Sequence, residues 1–176
     1  MKQIILKCRL SDRGRFEDQL ADKNLDFGPI YWQHDRIYVP RGYRPSQNYP
    51  RLIMRTDLRA IDEPPIYFLI LRRHIEDSGV DIVEQTPVID YAVTANIIMQ
   101  LGFRQAAEVS RRRQDLVIGE GTTLYLDDID GKDETYAKIE TTLTPSDSVE
   151  AVRTRLTNFL STLKETNITN RPYFEL

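Results

Sequence analysis

The 176-residue chain is 40% hydrophobic and 29% charged, proportions that supply an ordinary globular core and exclude a disordered polar chain. Its net charge of −3 excludes a broadly basic nucleic-acid surface, although a local basic cavity can sit inside an acidic envelope. The single cysteine, Cys8, permits neither an internal disulfide nor a multi-cysteine zinc site. No run approaches the roughly 18 apolar residues of a membrane-spanning helix and no signal peptide opens the chain, so the sequence reads as one cytoplasmic domain over 1–176 with no membrane or nucleic-acid partner.

Taken in chain order, the first run, Lys2 to Leu10, alternates. In a strand, Ile4, Leu6, Cys8 and Leu10 fall on one face, with Cys8 as inert core, while Lys7 and Arg9 share the other. Ser11 to Asn24 follows as a helix, opened by a capping-type serine and carrying Phe16 and Leu20 four apart. Strands are expected at Arg36 to Val39 and at Arg51 to Leu58, where Arg51 and Arg55 share a face with Ile53; Tyr31 and Trp32 ahead of them read as packing groups. Between these strands Pro40 to Pro50, with Gly42, Pro45 and Ser46, is a long irregular loop, and its Arg41, Tyr43 and Arg44 point to a role at a barrel mouth.

Pro65 to Ile75 is the next strand, with Arg72 and His74 on the face of Ile70, and Val80 to Gln85 the one after. A helix then starts with Thr86 as cap and Pro87 at its first position, runs through Val88, Tyr91, Ala95 and Ile98, and stops at Gly102. Ala107 to Ile118 carries Arg111 and Arg113 on one face and Arg112 on the other. Thr122 to Ile129 and Tyr136 to Leu143 are joined through Asp130-Gly131, a hairpin connection that supplies positive backbone angles; Lys138 and Glu140 share a face of the second. A last helix begins near Thr144-Pro145 with Val149, Val152, Leu156, Phe159, Leu160 and Leu163 on one stripe. Strands that gather cations on one face and apolar groups on the other, with amphipathic helices between, give an α+β barrel with a charged lumen and its helices outside.

Leu101-Gly102-Phe103, the Arg111-x-Arg113 pair, Leu126-Asp127-Asp128-Ile129, Tyr136-Ala137-Lys138-Ile139-Glu140 and the tail Arg171-Pro172-Tyr173-Phe174-Glu175-Leu176 together resemble the CYTH superfamily, which includes class IV adenylate cyclases, thiamine triphosphatases and inorganic triphosphatases. The resemblance covers nearly the whole chain and implies a closed, antiparallel, eight-stranded triphosphate tunnel. Glu84 falls where the family has a glutamate. The opening Glu-x-Glu-x-Lys signature of the family is met here by Gln3, Ile5 and Lys7, the Phe-x-Glu-x-Glu strand by Tyr136, Lys138 and Glu140, and Ile53 stands where an arginine is common. The departures fall on positions that hold divalent metal ions in the family.

A triphosphate needs Lys and Arg donors, and its cleavage or cyclisation needs a hard cation held by carboxylate oxygens. At 4 Å two unit charges interact by about 4 kcal/mol at an effective dielectric of 20, so Lys138 beside a metal position is a serious penalty. The resemblance therefore implies a tunnel that binds a triphosphate or polyphosphate ligand, with Lys7, Arg9, Arg51, Arg55, Arg72, Arg111, Arg113 and Lys138 as phosphate contacts and turnover impaired. The alternative is an active triphosphatase or adenylate cyclase in which Glu84, Asp127 and Glu140 rebuild a magnesium or manganese site. The third is a non-catalytic scaffold whose lumen is closed by its own ion pairs. For the individual residues the ordinary readings are a solvated basic stretch for Arg111 to Arg113, a surface acid for Glu84 and a turn acid for Asp128; dimerisation stays open.

Overall fold

Two-residue alternation in eight successive strands gives each strand one face for the helices and one for an enclosed interior, and the chain closes on that basis. The strands are β1 (Lys2–Arg9), β2 (Tyr31–Pro40), β3 (Arg51–Leu58), β4 (Ile66–Ile75), β5 (Val80–Val88), β6 (Phe103–Gly119), β7 (Thr122–Ile129) and β8 (Thr135–Thr142). The computed structural model describes residues 1–44, 49–75, 78–119, 121–165, 167–169 and 172–175. Pro45 and Ser46 of the expected mouth loop, and Arg171 and Leu176 of the tail, lie outside the described residues.

Each strand pairs antiparallel with its neighbours in the order β1-β5-β4-β3-β2-β6-β7-β8, and β8 returns to β1. The result is the expected α+β architecture, a closed eight-stranded antiparallel barrel with helices α1 (Arg13–Ala21), α2 (Tyr91–Gln100) and α3 (Val149–Thr162) outside it. A two-residue strand, β9 (Ile168–Thr169), lies beside β1 at Lys7 and Cys8 and leads to a 3-10 turn at Tyr173–Glu175. No helix among the described residues is long and apolar enough to cross a membrane.

Several boundaries differ from the sequence expectations, among them the start of β6 at Phe103 rather than Ala107 and the end of α1 at Ala21 rather than Asn24, and four have a local reason. Strand β2 begins at Tyr31 rather than Arg36, because its interior face carries Gln33 and Asp35, polar groups that hide the apolar alternation a half-buried strand normally shows. Strand β5 runs on to Val88: Thr86, Pro87 and Val88 pair with Leu69, Phe68 and Tyr67 of β4, and the cap of α2 is Asp90, whose carboxylate accepts from the Val93 N–H at 2.9 Å. Helix α3 starts at Val149 after Ser148, which caps the Ala151 N–H, while Thr144 and Asp147 form the preceding turn. Likewise Asp12, not Ser11, caps α1. The Asp130-Gly131 connection is the expected tight turn, with Gly131 at φ +80.

The exterior face of β1, β7 and β8 supplies Ile4, Leu6, Cys8, Leu124, Leu126, Ala137 and Ile139. These pack against Phe16 and Leu20 of α1 and Val152, Leu156, Leu160 and Leu163 of α3 as the main core. Cys8 is fully buried there, and burial pushes its thiol pKa up to about 12. A smaller cluster joins Tyr38 and Met54 to Ala95 and Ile98 of α2. Leu160→Ala is expected to destabilise the chain by about 2–5 kcal/mol in a denaturant titration, since it opens a cavity at a fully buried position; an unchanged midpoint would remove α3 from the cooperative core.

Candidate functional site

The sheet register decides which cations meet inside the barrel. Lys7 of β1 lies directly opposite Lys138 of β8, and Arg51 of β3 directly opposite Arg72 of β4. Arg111 and Arg113, two apart on β6, both turn inward and are almost fully buried, while Arg112 points out toward Asp128 at 3.6 Å. Like charges directly opposite one another in a sheet are destabilising, so this arrangement needs negative partners.

Carboxylates that sit on the same interior face provide part of the compensation. Asp35 accepts from Arg55 Nε at 2.7 Å and Nη2 at 2.9 Å, a forked pair, and its second oxygen takes Arg111 Nη2 at 2.5 Å. Asp127 takes a second fork from Arg113 at 2.5 and 2.6 Å, and the Tyr173 hydroxyl donates to it at 2.6 Å. Glu140 pairs with Lys138 Nζ at 2.5 Å and accepts from the Tyr125 hydroxyl at 2.9 Å. Gln33 links two of these groups, accepting from Arg111 and donating to Asp57 at 2.8 Å. The Tyr125 ring has Arg113 at 4.4 Å and Lys138 at 4.7 Å, and Tyr173 has Lys7 at 5.2 Å, geometry in which aromatic faces attract cations.

The proton affinities record the crowding. Burial alone would raise the Asp35 carboxyl, but Arg111 and Arg55 outweigh it and hold it well below the usual carboxylate range. Asp127 and Glu140 are likewise brought down to about 2, by Arg113 and by Lys138 respectively, against the effect of burial. On the basic side, burial lowers Lys7 well below the ordinary lysine value, helped by Arg72 and Lys138. Burial together with Arg113 and Arg72 brings Lys138 down to about 7 despite the Glu140 partner. Burial also lowers Arg72, whose Nε is buried with no hydrogen-bond partner among the described residues.

Two spaces lie along the lumen. One, of about 50 Å³, is lined among the described residues by seven cationic side chains (Lys7, Arg51, Arg55, Arg72, Arg111, Arg113, Lys138) and one carboxylate, Asp35, and is closed by Pro172, Tyr173 and Phe174 of the tail. The other, of about 200 Å³, is bordered by Met1, Gln3, Gln85, Tyr31 and Phe68 at the opposite end. Arg55, Arg72, Arg113 and Lys138 line both, so these four side chains lie between the two spaces.

Two of the expected site residues are not brought to the lumen. Arg9, at the end of β1, is more than half exposed and pairs with Glu134 at 3.2 Å. Glu84 points away from the lumen, because Val83 and Gln85 take the interior face of β5; its carboxylate instead holds the N-terminal ammonium at 2.7 Å. With Glu84 outside, and Asp127 and Glu140 clamped by guanidinium, ammonium and phenol groups, the three acids do not form a hard-cation cage. Among the described residues no cluster of His, Cys, Asp and Glu side chains has metal-holding geometry. His74 pairs with Asp81 at 2.8 Å.

Sequence reasoning missed Asp35, Gln33, Asp57 and Tyr125. Extending the two-residue period backward from Ile37 would have found the first two.

No protein-family model and no curated protein matches the sequence. Solved structures match it in fold. A Pyrococcus horikoshii protein superposes with a TM-score of 0.83 at 18% identity, covering 98% of this chain and 96% of that one. A "putative adenylate cyclase" from Vibrio parahaemolyticus gives 0.78 at 17% identity, with 98% and 95% covered. A "putative adenylyl cyclase" from Hippeastrum, described as having a dominant triphosphatase activity, gives 0.62 at 17% identity, with 99% and 93% covered. These proteins share the fold of this chain, the closed eight-stranded antiparallel barrel that the resemblance implied.

Asp35→Asn leaves Arg55 and Arg111 buried beside a neutral amide, and breaking such a pair is expected to cost about 3–5 kcal/mol. The three lumen carboxylates, Asp35, Asp127 and Glu140, whose pKa values are lowered, stabilise the fold fully above about pH 5, and that contribution is lost as pH falls toward about 2. Denaturant titrations across this range should give a steep acid loss in the parent chain and a shallower one in Asp35→Asn; identical pH profiles would remove Asp35 from the network.

Proposed function

We propose that this chain is a CYTH-type tunnel protein that binds a triphosphate-type or other polyanionic ligand, a nucleoside triphosphate or an inorganic polyphosphate, inside its barrel. Catalysis is impaired because the metal-holding carboxylates of the family are missing or diverted. The observation that carries this reading is a lumen space lined, among the described residues, by seven cationic side chains and one carboxylate, with buried Lys7 directly opposite buried Lys138. Buried like charges are expensive unless an anion lies between them.

Entering from the Met1 and Gln85 end, a phosphate chain would meet Arg55, Arg72, Arg113 and Lys138, the four side chains common to both spaces. Arg72 offers a buried Nε with no hydrogen-bond partner among the described residues, and the forked guanidiniums suit phosphate oxygens. The Lys138 ammonium then supplies positive charge where the resemblance places a metal-ligating glutamate, and Lys7 faces it across the sheet. The metal-dependent alternative requires Glu84, Asp127 and Glu140 to converge, and the position of Glu84 at the N-terminal ammonium speaks against it. The scaffold alternative is the one in which Asp35, Asp127 and Glu140 suffice as counter-charges.

Because Lys138 sits at about 7 in the free protein, a polyanion beside it raises its pKa, so the complex takes up protons above that value. Binding is then tightest below about 7 and weakens as pH rises through the free-protein value. Calorimetry with tripolyphosphate in chelator, repeated in buffers of different ionisation enthalpy, is expected to show metal-free binding with proton uptake one unit above that pKa. Uptake should be smaller in Lys138→Met, with Lys7, also lowered by burial, contributing the remainder. Arg72→Met should weaken affinity by roughly one to two orders of magnitude, since a charged hydrogen bond is worth about 1.5–3 kcal/mol. Absence of binding would favour the scaffold, and binding only with magnesium, accompanied by released phosphate or cyclic nucleotide, would favour the enzyme.

A further inference from the structure

We propose that the outer face of α2 is the contact surface of a homodimer, in which a second copy of this chain packs helix against helix across a two-fold axis near Asn96. The observation is independent of the lumen. Helices α1 and α3 each cover the barrel with an apolar face and turn charged residues to solvent: Arg15 and Asp18 on α1, Glu150 and Arg155 on α3. Helix α2, Tyr-Ala-Val-Thr-Ala-Asn-Ile-Ile-Met-Gln, contains no charged residue at all. Its inner face, Ala95 and Ile98, is already buried on Tyr38 and Met54. Its outer face is also apolar, and a helix apolar on both faces is normally covered on both.

The exposed groups are large and contiguous in the fold. Ile89 is 102% exposed, Leu101 70%, Val93 and Ile97 53% each and Met99 47%. Ile66 extends the patch from β4, whose next residue, Tyr67, pairs with Val88 beside Ile89. Together these leave on the order of 600 Å² of apolar surface, at the upper end of what soluble monomers show. With a polar rim that approaches the roughly 800 Å² per partner of a stable interface.

The occupant that fits is a copy of the same face. Val93 and Ile97, four apart on the helix, make a short ridge of the i±4 kind, with Ile89 and Leu101 exposed just beyond its two ends; such ridges interdigitate with one another at about −50°. The outer face between them carries Ala92 and Asn96, short enough for close approach. Asn96 lies at the middle of Tyr91–Gln100, so a two-fold axis there brings the two Asn96 amides together, and a lone polar pair in an apolar contact fixes register. The same operation runs the helices antiparallel. It carries Asp90, at the start of α2, toward Arg104, just beyond the end of α2, of the other copy, an opposite-charge pair made twice in an isologous contact.

Sedimentation equilibrium of the full chain over a dilution series is expected to give the two-chain mass, falling to one chain in Ile97→Asp. Far-UV circular dichroism and the thermal midpoint of that variant would show whether its barrel is intact. Asn96→Cys supplies a second test that does not depend on weakening anything. Cys8 is fully buried, so this variant should oxidise with copper phenanthroline to a covalent two-chain species that reducing agent reverses. A parent chain that stays monomeric throughout, or an Asn96→Cys chain that crosslinks no faster than Asp133→Cys, placed in the distant β7–β8 turn, would overturn the proposal and leave α2 to a different partner or to none.

Discussion

The structure turns on cations held opposite one another in a space the backbone has closed. Barrel closure removes the edges of the sheet and with them the easy route for an interior lysine or arginine to reach bulk water. Once Lys7 faces Lys138 and Arg51 faces Arg72, every other polar group of the lumen is arranged around that repulsion. Asp35 divides itself between Arg55 and Arg111, Asp127 is forked by Arg113, and Glu140 takes Lys138. The tail then places Tyr173 on Asp127 and on the Lys7 and Arg111 cations. Among the described residues the lumen cations outnumber Asp35, Asp57, Asp127 and Glu140, and burial pulls Lys7, Arg72 and Lys138 below their ordinary proton affinities.

Barrel exterior and interior obey different rules, and this explains what could be read from the residues alone. The apolar stripes of Phe16 and Leu20, and of Val152, Leu156 and Leu160, name the helices that cover the barrel, because a soluble helix has one reason to keep such a stripe. Inward placement of Arg111 and Arg113 with Arg112 outward follows from period two. Strand β2 was legible only from Arg36 onward, since Gln33 and Asp35 make its buried face look solvent-facing. The same blindness hid Asp35 itself, the group on which two arginines depend. Glu84 was misplaced for a related reason: its spacing from Leu101-Gly102 is right for the resemblance, but strand parity sends it outward.

The resemblance to a metal-dependent family and the chemistry of this lumen part company at the same few positions. Gln3, Ile5 and Lys138 replace carboxylates, and the acids that remain are each already bonded to a cation or a phenol. A magnesium ion would have to displace Arg113 from Asp127 or Lys138 from Glu140, breaking contacts of 2.5 Å in a buried setting. An anion meets cations at each of these positions, and Arg72 offers it a buried Nε with no hydrogen-bond partner among the described residues. The uncharged outer face of α2 lies outside this network, so the proposed ligand site and the proposed self-association face are separable on one barrel.

The most direct measurement is a crystal structure of the chain grown with tripolyphosphate in a chelator. Phosphate density in contact with Arg55, Arg72, Arg113 and Lys138, with Asp127 and Glu140 still on their present partners, is the expected result. A lumen that excludes the anion, or one that admits it only with a divalent ion bridging Asp127 and Glu140, would contradict it.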